Sequence, residues 1–455
     1  MNRLVYFIFF CVFCAAILGG HVNRMFGLIP EAVSAIVLCV VLLRLAVYRE
    51  MAITPKYIFL GLAVVAHMLL GVVINGVEPG TIVAGLRPYL KWVPVFFLPI
   101  VYAFKEDEIR NHMKVLLFIA LLQCPIALYQ RFILYRGIAS GDAVTGTFGF
   151  GASGALSIYL VSTIAVVIAY FIKGKLSPKT VIFLMVILFL PTTINETKVT
   201  IFLLPIAIAI PYIYASKKIS VQQLIGISTA GILVGTGFMY IYNFVGNGAI
   251  NYNGSFAGAG GVEGYLYSGK DRDLSKDNLL GKNMLGNNMI LPEEAISSDE
   301  GGGRLDKISL AFHTLLKDPV MLWVGLGVGN VSTSQIKIFS GEYSERLGDI
   351  SGDTLLSFLL WETGIGGVIL FAAFIGFLIM DTRMLAKSTG VKSIWASGWM
   401  GVLGIACITI PYINVFYFNP LIFIFAYCSG HMVAQRAKST EKVPLWPRIN
   451  VRQPT

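Results

Sequence analysis

Long apolar runs, interrupted at short intervals by a few charged or turn-forming residues, dominate this chain. A helix that crosses a bilayer needs about 20 mostly apolar residues. Such runs recur at about 4–20, 29–47, 57–74, 82–104, 114–134, 153–172, 180–194, 198–215, 222–243, 354–380, 393–411 and 414–434. The pattern predicts an all-α, polytopic integral membrane protein of about twelve transmembrane helices. PTTINETK alone parts the seventh run from the eighth.

One connection breaks the rhythm. Residues 244–353 form a single long external loop, with helices one to nine in 1–243 before it. Helices ten to twelve (354–434) and a tail (435–455) follow it. From Gly246 to Gly303 there are 13 Gly and 7 Asn in 58 residues, a composition that does not build a core. The texture changes at RLDKISLAFHTLLKDP, where Leu305, Ile308, Phe312 and Leu315 recur at helical spacing and Asp318-Pro319 supplies a stop. This predicts a short amphipathic helix at the membrane surface or against the bundle, with Arg304 and Lys307 one turn apart on its polar side. VGLGVGN comes next, read as a tight turn with a backbone nest for an anion as the lesser alternative.

Composition agrees: 56% of the 455 residues are hydrophobic, 13% are charged, and the mean hydropathy is +0.74. A water-soluble domain cannot cover that much apolar surface. With both termini placed in the cytoplasm, cytoplasmic ends and loops hold 20 of the 35 basic residues and only 6 of the 25 acidic ones. That is the positive-inside pattern, so the net charge of +10 reports topology and nucleic acid is no partner. Arg3 ahead of an apolar run has the outline of a signal peptide, but the loop alternation expects that helix to be retained. All six cysteines fall in predicted helices, which argues against a disulfide framework. His21, His67, His112, His313 and His431 are scattered, so neither a metal nor another cofactor is expected. No internal repeat of the transporter kind is evident.

Ionisable groups within or at the edge of a bilayer are costly and become functional candidates. Under this topology Arg87, Lys91, Arg131, Arg136, Lys198 and Arg304 share the outer level with Glu196 and Asp353. Arg131 and Arg136 suit snorkelling to headgroups. Arg87 and Lys91, on one face of the fourth run, either line a site or pair internally. Lys198 either joins the site or pairs with Glu196. Asp353 is placed to cap helix ten, a role that leaves its chemistry open. Glu362 lies nine residues further on, about 13.5 Å deeper. The two carboxylates therefore cannot work as an adjacent acid–base pair, and Glu362 is read as a tether for a neighbouring helix or broken backbone. Clustered cations at this level suit a lipid-anchored diphosphate, whose developing charge they would stabilise without metal.

Four stretches carry a family resemblance. TGTFGFGASGAL, NETKVTIFLLP, GGGRLDKISLAF…DPVMLWVGLGVGN and GDTLLSFLLWETGIGG occur in that order between about residues 80 and 380. They resemble the O-antigen polymerase and O-antigen ligase superfamily of bacterial inner-membrane glycosyltransferases, whose fold is of the type C kind. Lys198 stands where that family usually has Arg, and Asp353 and Thr354 stand where its ligases have His-Asn. An acidic residue at this place is more similar to the polymerases.

The resemblance implies an inverting, metal-independent enzyme that joins polyprenyl-diphosphate-linked repeat units into an exopolysaccharide, capsule or O-antigen. The site would lie on the external face of the inner membrane. Lys198 and Arg304 would bind diphosphate with help from Arg87 and Lys91, and Asp353 would be base or hydroxyl-orienting group. Its partners would be lipid-linked donor and acceptor glycans, membrane lipid, and chain-length or export proteins. A ligase that moves a finished glycan to a lipid or other acceptor is the second expectation. A transporter or flippase is the third, and the lack of a polar path to the cytoplasmic side counts against it.

Overall fold

The structure, a computed structural model, describes residues 1–102, 104–136, 143–195, 197–215, 237, 303–334, 337–344, 347 and 351–439. The ninth expected span (222–243), the Gly/Asn-rich stretch up to residue 302 and the tail beyond 439 lie outside the described residues.

The described chain is helical, without strands. Its helices are α1 (Asn2–His21), α2 (Ile29–Tyr48), α3 (Pro55–Asn75), α4 (Pro79–Leu90), α5 (Val93–Tyr102), α6 (Glu106–Tyr129) and α7 (Ser153–Ile172). After these come α8 (Pro178–Ile194), α9 (Thr200–Ala215), α10 (Arg304–Leu315), α11 (Pro319–Val324), α12 (Leu355–Ala386), α13 (Val391–Thr409) and α14 (Asn419–Ser439). Seven stretches are long and apolar enough to cross a membrane: Asn2–Gly19, Met25–Tyr48, Pro55–Asn75, Glu106–Leu134, Ser153–Ile172, Leu355–Ala386 and Val391–Thr409.

The centre of the bundle is built where small residues let helices touch. Gly398, Gly401 and Gly404 of α13 face Val166 and Ala165 of α7 and Pro211 and Ile210 of α9, leaving no room for a side chain. Gly430 of α14 lies likewise against the Phe96 carbonyl of α5. The outer helices show the opposite pattern. On α3, Phe59, Leu62, Val65, Leu69 and Val73 form an apolar ridge, each more than half exposed. Such a ridge is a surface for hydrocarbon.

Charged residues that the positive-inside pattern places on one side meet in space. Lys56 at the start of α3 pairs with Asp381 near the end of α12 at 2.7 Å, and the Tyr57 hydroxyl donates to the same carboxylate at 2.8 Å. Arg44 donates to the Val101 carbonyl at 3.0 Å, and Lys392 approaches Glu106 at 3.9 Å. Thus α3 and α12 run antiparallel, with their polar ends at one level.

Three boundaries differ from the sequence pattern. The fourth run (82–104) is two helices, because Pro94 cannot donate to the carbonyl of Leu90 and the chain turns at Lys91–Trp92. The fifth begins at Glu106 rather than 114, on the three acids of its first turn, and ends in a π-helical turn over Gln130–Leu134. The last begins at Asn419 rather than 414. Residues 410–418 form an internal loop with a 3-10 turn at Val415–Tyr417, which Asn414 caps through Phe416 N–H at 3.2 Å.

α12 is interrupted nine residues in, at Gly364 (φ 62°, ψ −167°). The break is covered by the Gly325–Asn330 turn, in which Gly325, Gly327 and Gly329 all have positive φ. Gly329 packs against the Thr81 carbonyl and Gly85 of α4, so it has neither the backbone freedom nor the space for a side chain. Gly329→Ala should therefore cost about 1–3 kcal/mol and lower the melting midpoint in detergent. Gly376→Ala, on an open face of α12, should leave the midpoint unchanged or raise it. Equal melting of the two variants would show that this turn does not hold the bundle.

Candidate functional site

The two carboxylates of the first segment of α12 have different surroundings. Glu362 is wholly buried. It accepts from the Tyr89 hydroxyl of α4 at 2.9 Å and from the Ser332 hydroxyl, with the Gly329 backbone amide in its electrostatic surroundings. Tyr417, from the 410–418 loop, adds its hydroxyl to the same cluster against Ser332. Glu362 thus joins α4, the glycine turn and α12, the tether role expected of it.

The backbone around the break is satisfied in the same place. Leu326 N–H donates to the Trp361 carbonyl at 2.7 Å and Gly327 N–H to the Glu362 carbonyl at 3.1 Å. His67 of α3 lies 2.8 Å from the Thr363 carbonyl, and Asn75 donates to the Gly325 carbonyl at 3.1 Å. The amides of Leu326 and Gly327 therefore serve the protein's own acceptors. GLGVGN is a turn that docks on the α12 break, as its preferred reading expects.

Asp353 sits at the other end of this segment, with its side chain 43% exposed, in an ion pair with Lys307. It is not the helix cap. α12 starts at Leu355, so the cap position falls on Thr354, whose hydroxyl accepts from Ser357 N–H at 3.1 Å. That leaves the Asp353 carboxylate free to reach α10. Its backbone is fixed separately, by Asn414 N–H donating to its carbonyl at 3.1 Å.

α10 crosses this corner. Asp306 accepts from Gly303 N–H at 2.7 Å and starts the helix, and Asp318 caps α11 rather than merely ending α10. The buried stripe is Ala311 with Leu315, packed on Leu360 and Trp361, and Ile308 flanks it. Phe312, expected on that stripe, lies one position round the helix and is exposed. Arg304 opens α10 with its guanidinium 4.3 Å from the centroid of the Tyr412 ring.

Tyr412 leads to Lys198. A Cβ on Gly154, at the head of α7, would lie 3.5 Å from the Tyr412 ring. The neighbouring Ser153 carbonyl accepts from Asn195 Nδ2 at 3.0 Å, and Asn195 Oδ1 accepts from Thr197 N–H at 3.2 Å. Lys198 follows, half-buried in the turn ahead of α9. The 410–418 loop thus meets the segments carrying Asp353 and Arg304 directly, and it meets the head of α7, to which Asn195 ties the turn that carries Lys198. Glu196, the expected neighbour of Lys198, lies outside the described residues. TGTFG, ahead of α7, is held by α6: Gln123 accepts from Thr147 N–H at 2.9 Å and Gln130 from Gly146 N–H at 2.7 Å.

Arg87 and Lys91 have a different partner. Arg87 Nε is 2.6 Å from Glu31 of α2, and Lys91, 8% exposed at the α4–α5 turn, is within electrostatic reach of both. Two residues on from Arg87, Tyr89 points the other way round the helix, to Glu362. Internal pairing is therefore the role seen for Arg87. Arg131 falls in the π-helical turn after α6, and Arg136 lies beyond it, exposed.

Lys307 as the partner of Asp353, together with Tyr412, Tyr417, Ser332, Tyr89 and Glu31, had no assigned place in the sequence pattern. The signal available for the first was the i, i+3 spacing from Arg304. For the tyrosines it was Pro411, Asn414 and Asn419-Pro420, which mark a loop inside an apolar run.

No protein-family model matches this chain, and no curated protein matches it. Among the described residues, fold and site together show a helical bundle with helices long and apolar enough to cross a membrane, and a corner where Arg304 and Lys307 stand near the exposed Asp353 carboxylate.

Removing the Glu362 carboxylate would strand two buried hydroxyl donors. At about 1 kcal/mol or more each, Glu362→Ala should lower the melting midpoint markedly. Glu362→Gln, which keeps one acceptor, should lie between it and the parent. If Glu362→Ala melts like the parent, the tether assignment is wrong.

Proposed function

We propose that this protein is a polytopic inner-membrane glycosyltransferase of the O-antigen polymerase kind. It has about twelve spans, an external loop over 244–353, and both termini in the cytoplasm. It joins polyprenyl-diphosphate-linked repeat units into a polysaccharide on the external face. The observation that carries this reading is the meeting of the Asp353 and Arg304 segments at the 410–418 loop, with Lys307 on Asp353 and the turn of Lys198 tied to the neighbouring head of α7.

In this mechanism the lipid tail of the donor stays in the bilayer, and its diphosphate meets Arg304 and Lys198. Lys307, one turn from Arg304, is the third cation in reach. Arg87, engaged by Glu31, is assigned to holding α2 against α4. A sugar hydroxyl of the second lipid-linked unit attacks the anomeric carbon with inversion. The bond from that carbon to the diphosphate oxygen breaks, and polyprenyl diphosphate leaves with the electron pair. Asp353 orients the hydroxyl and takes its proton. The cations stabilise the charge that grows on the leaving oxygen. Tyr412 positions Arg304 by lying under its guanidinium.

The experiment is polymer formation by purified protein from lipid-linked repeat units, without any ion gradient. Arg304→Ala and Lys198→Ala should each cut polymer yield by about tenfold or more, the loss of one charge-assisted contact, with protein level unchanged. Lys198→Arg and Tyr412→Phe should retain most activity, and Tyr412→Leu should not. Cells carrying the defective variants should accumulate single repeat units; long unligated chains would point to a ligase instead. Unchanged polymer in both Arg304→Ala and Lys198→Ala would overturn the assignment.

A further inference from the structure

A cavity of about 320 Å³ lies inside the bundle between α6, α7, α12, α13 and α14. None of Lys198, Arg304, Lys307 and Asp353 lines it. Along α13 its lining runs from Trp395 to Thr409, about 21 Å at the helical rise. That is deeper than one leaflet's share of a hydrocarbon core about 30 Å thick. Its walls are aliphatic and aromatic, with Trp92, Trp395 and Trp399 among them. The two ends differ in charge. One is closed by Leu355, Ile410 and Phe416, without a cation, and the other reaches Arg110 and Lys114 of α6.

Arg110 pairs with Asp107 in an exposed i, i+3 pair, and Lys114 is exposed one turn further on. The acids at the head of α6 precede them and do not line the cavity. A narrow apolar space with cations at one mouth fits an amphipathic ligand in a single orientation. We infer that this cavity holds one acyl chain of an anionic phospholipid, whose phosphate sits at Arg110 and Lys114. Those residues belong to the side that the charge pattern makes cytoplasmic, so the lipid comes from the inner leaflet. The inference stands whether or not the glycosyltransferase reading does.

Native mass spectrometry of the full chain in mild detergent, with lipid extraction, tests it. One phosphatidylglycerol per chain is expected on the parent protein. Ala406→Phe and Thr163→Trp, which fill the cavity from α13 and α7, should lower its retention about tenfold, as should joint charge reversal by Arg110→Glu and Lys114→Glu. Elution volume and melting midpoint confirm that each variant is folded. Should either fail to fold, phosphatidylglycerol with brominated acyl chains, titrated into delipidated parent protein, should quench tryptophan fluorescence saturably near one equivalent. Equal retention in parent and cavity variants, quenching that never saturates, no preference over phosphatidylcholine, or a polyprenyl lipid in its place would each overturn the proposal.

Discussion

In hydrocarbon there is no water to satisfy a freed backbone carbonyl, so a helix may break only where the protein itself supplies donors. The interruption of α12 at Gly364 obeys that constraint, and much of the structure around the candidate site follows from it. Trp361, Glu362 and Thr363 lose their helical partners, and the glycine turn and His67 replace them. The turn can do so only by approaching the α12 backbone without side chains, which is why Gly325 stands opposite Gly364. Once it is docked, α10 and α11 have one place to lie, because the same turn continues into them. Arg304 and Lys307 inherit their level from the break.

α4 is the girder that couples this corner to the rest of the bundle. On one side Tyr89 donates to Glu362 and stacks against Phe358. On the other, Arg87 binds Glu31 of α2. Pro94 ends the helical path just beyond, and Lys91 is buried at that turn, within electrostatic reach of the same carboxylate. A cation so deep is costly unless an anion shares its surroundings. Glu31 pairs with Arg87 and is the anion within reach of Lys91, which gives the acid in the first turn of α2 a role.

The parts of the fold legible in the sequence are those written in local apolar periodicity. The run 153–172 is α7 to the residue, and 29–47 and 57–74 fall within a residue or two of α2 and α3. The helix opened by Arg304 was legible from its apolar spacing and from the Asp318-Pro319 stop. The failures share a cause: an apolar run reports burial, and a loop packed inside a bundle is as apolar as a helix. IPYINVFYFNP is such a loop, and it holds Tyr412 and Tyr417. The pairings that make the site, Lys307 with Asp353 and Tyr89 with Glu362, join residues 46 and 273 positions apart. No local spacing encodes contacts of that range.

The division of labour between the two acids of α12 follows from what surrounds each. A carboxylate that accepts from two buried hydroxyls, with no access to solvent, cannot meet a substrate without dismantling its own support, so Glu362 is fitted to hold structure. Asp353 is the reverse case. Its main chain is fixed by Asn414, its helix is capped by Thr354, and among the described residues Lys307 engages its part-exposed carboxylate. Exchanging that side chain removes no cap, but it takes the partner from Lys307, whose side chain is only 14% exposed. Chemistry at residue 353 is therefore separable from the start of α12 and tied instead to the charge on α10, whereas residue 362 is tied to the fold itself.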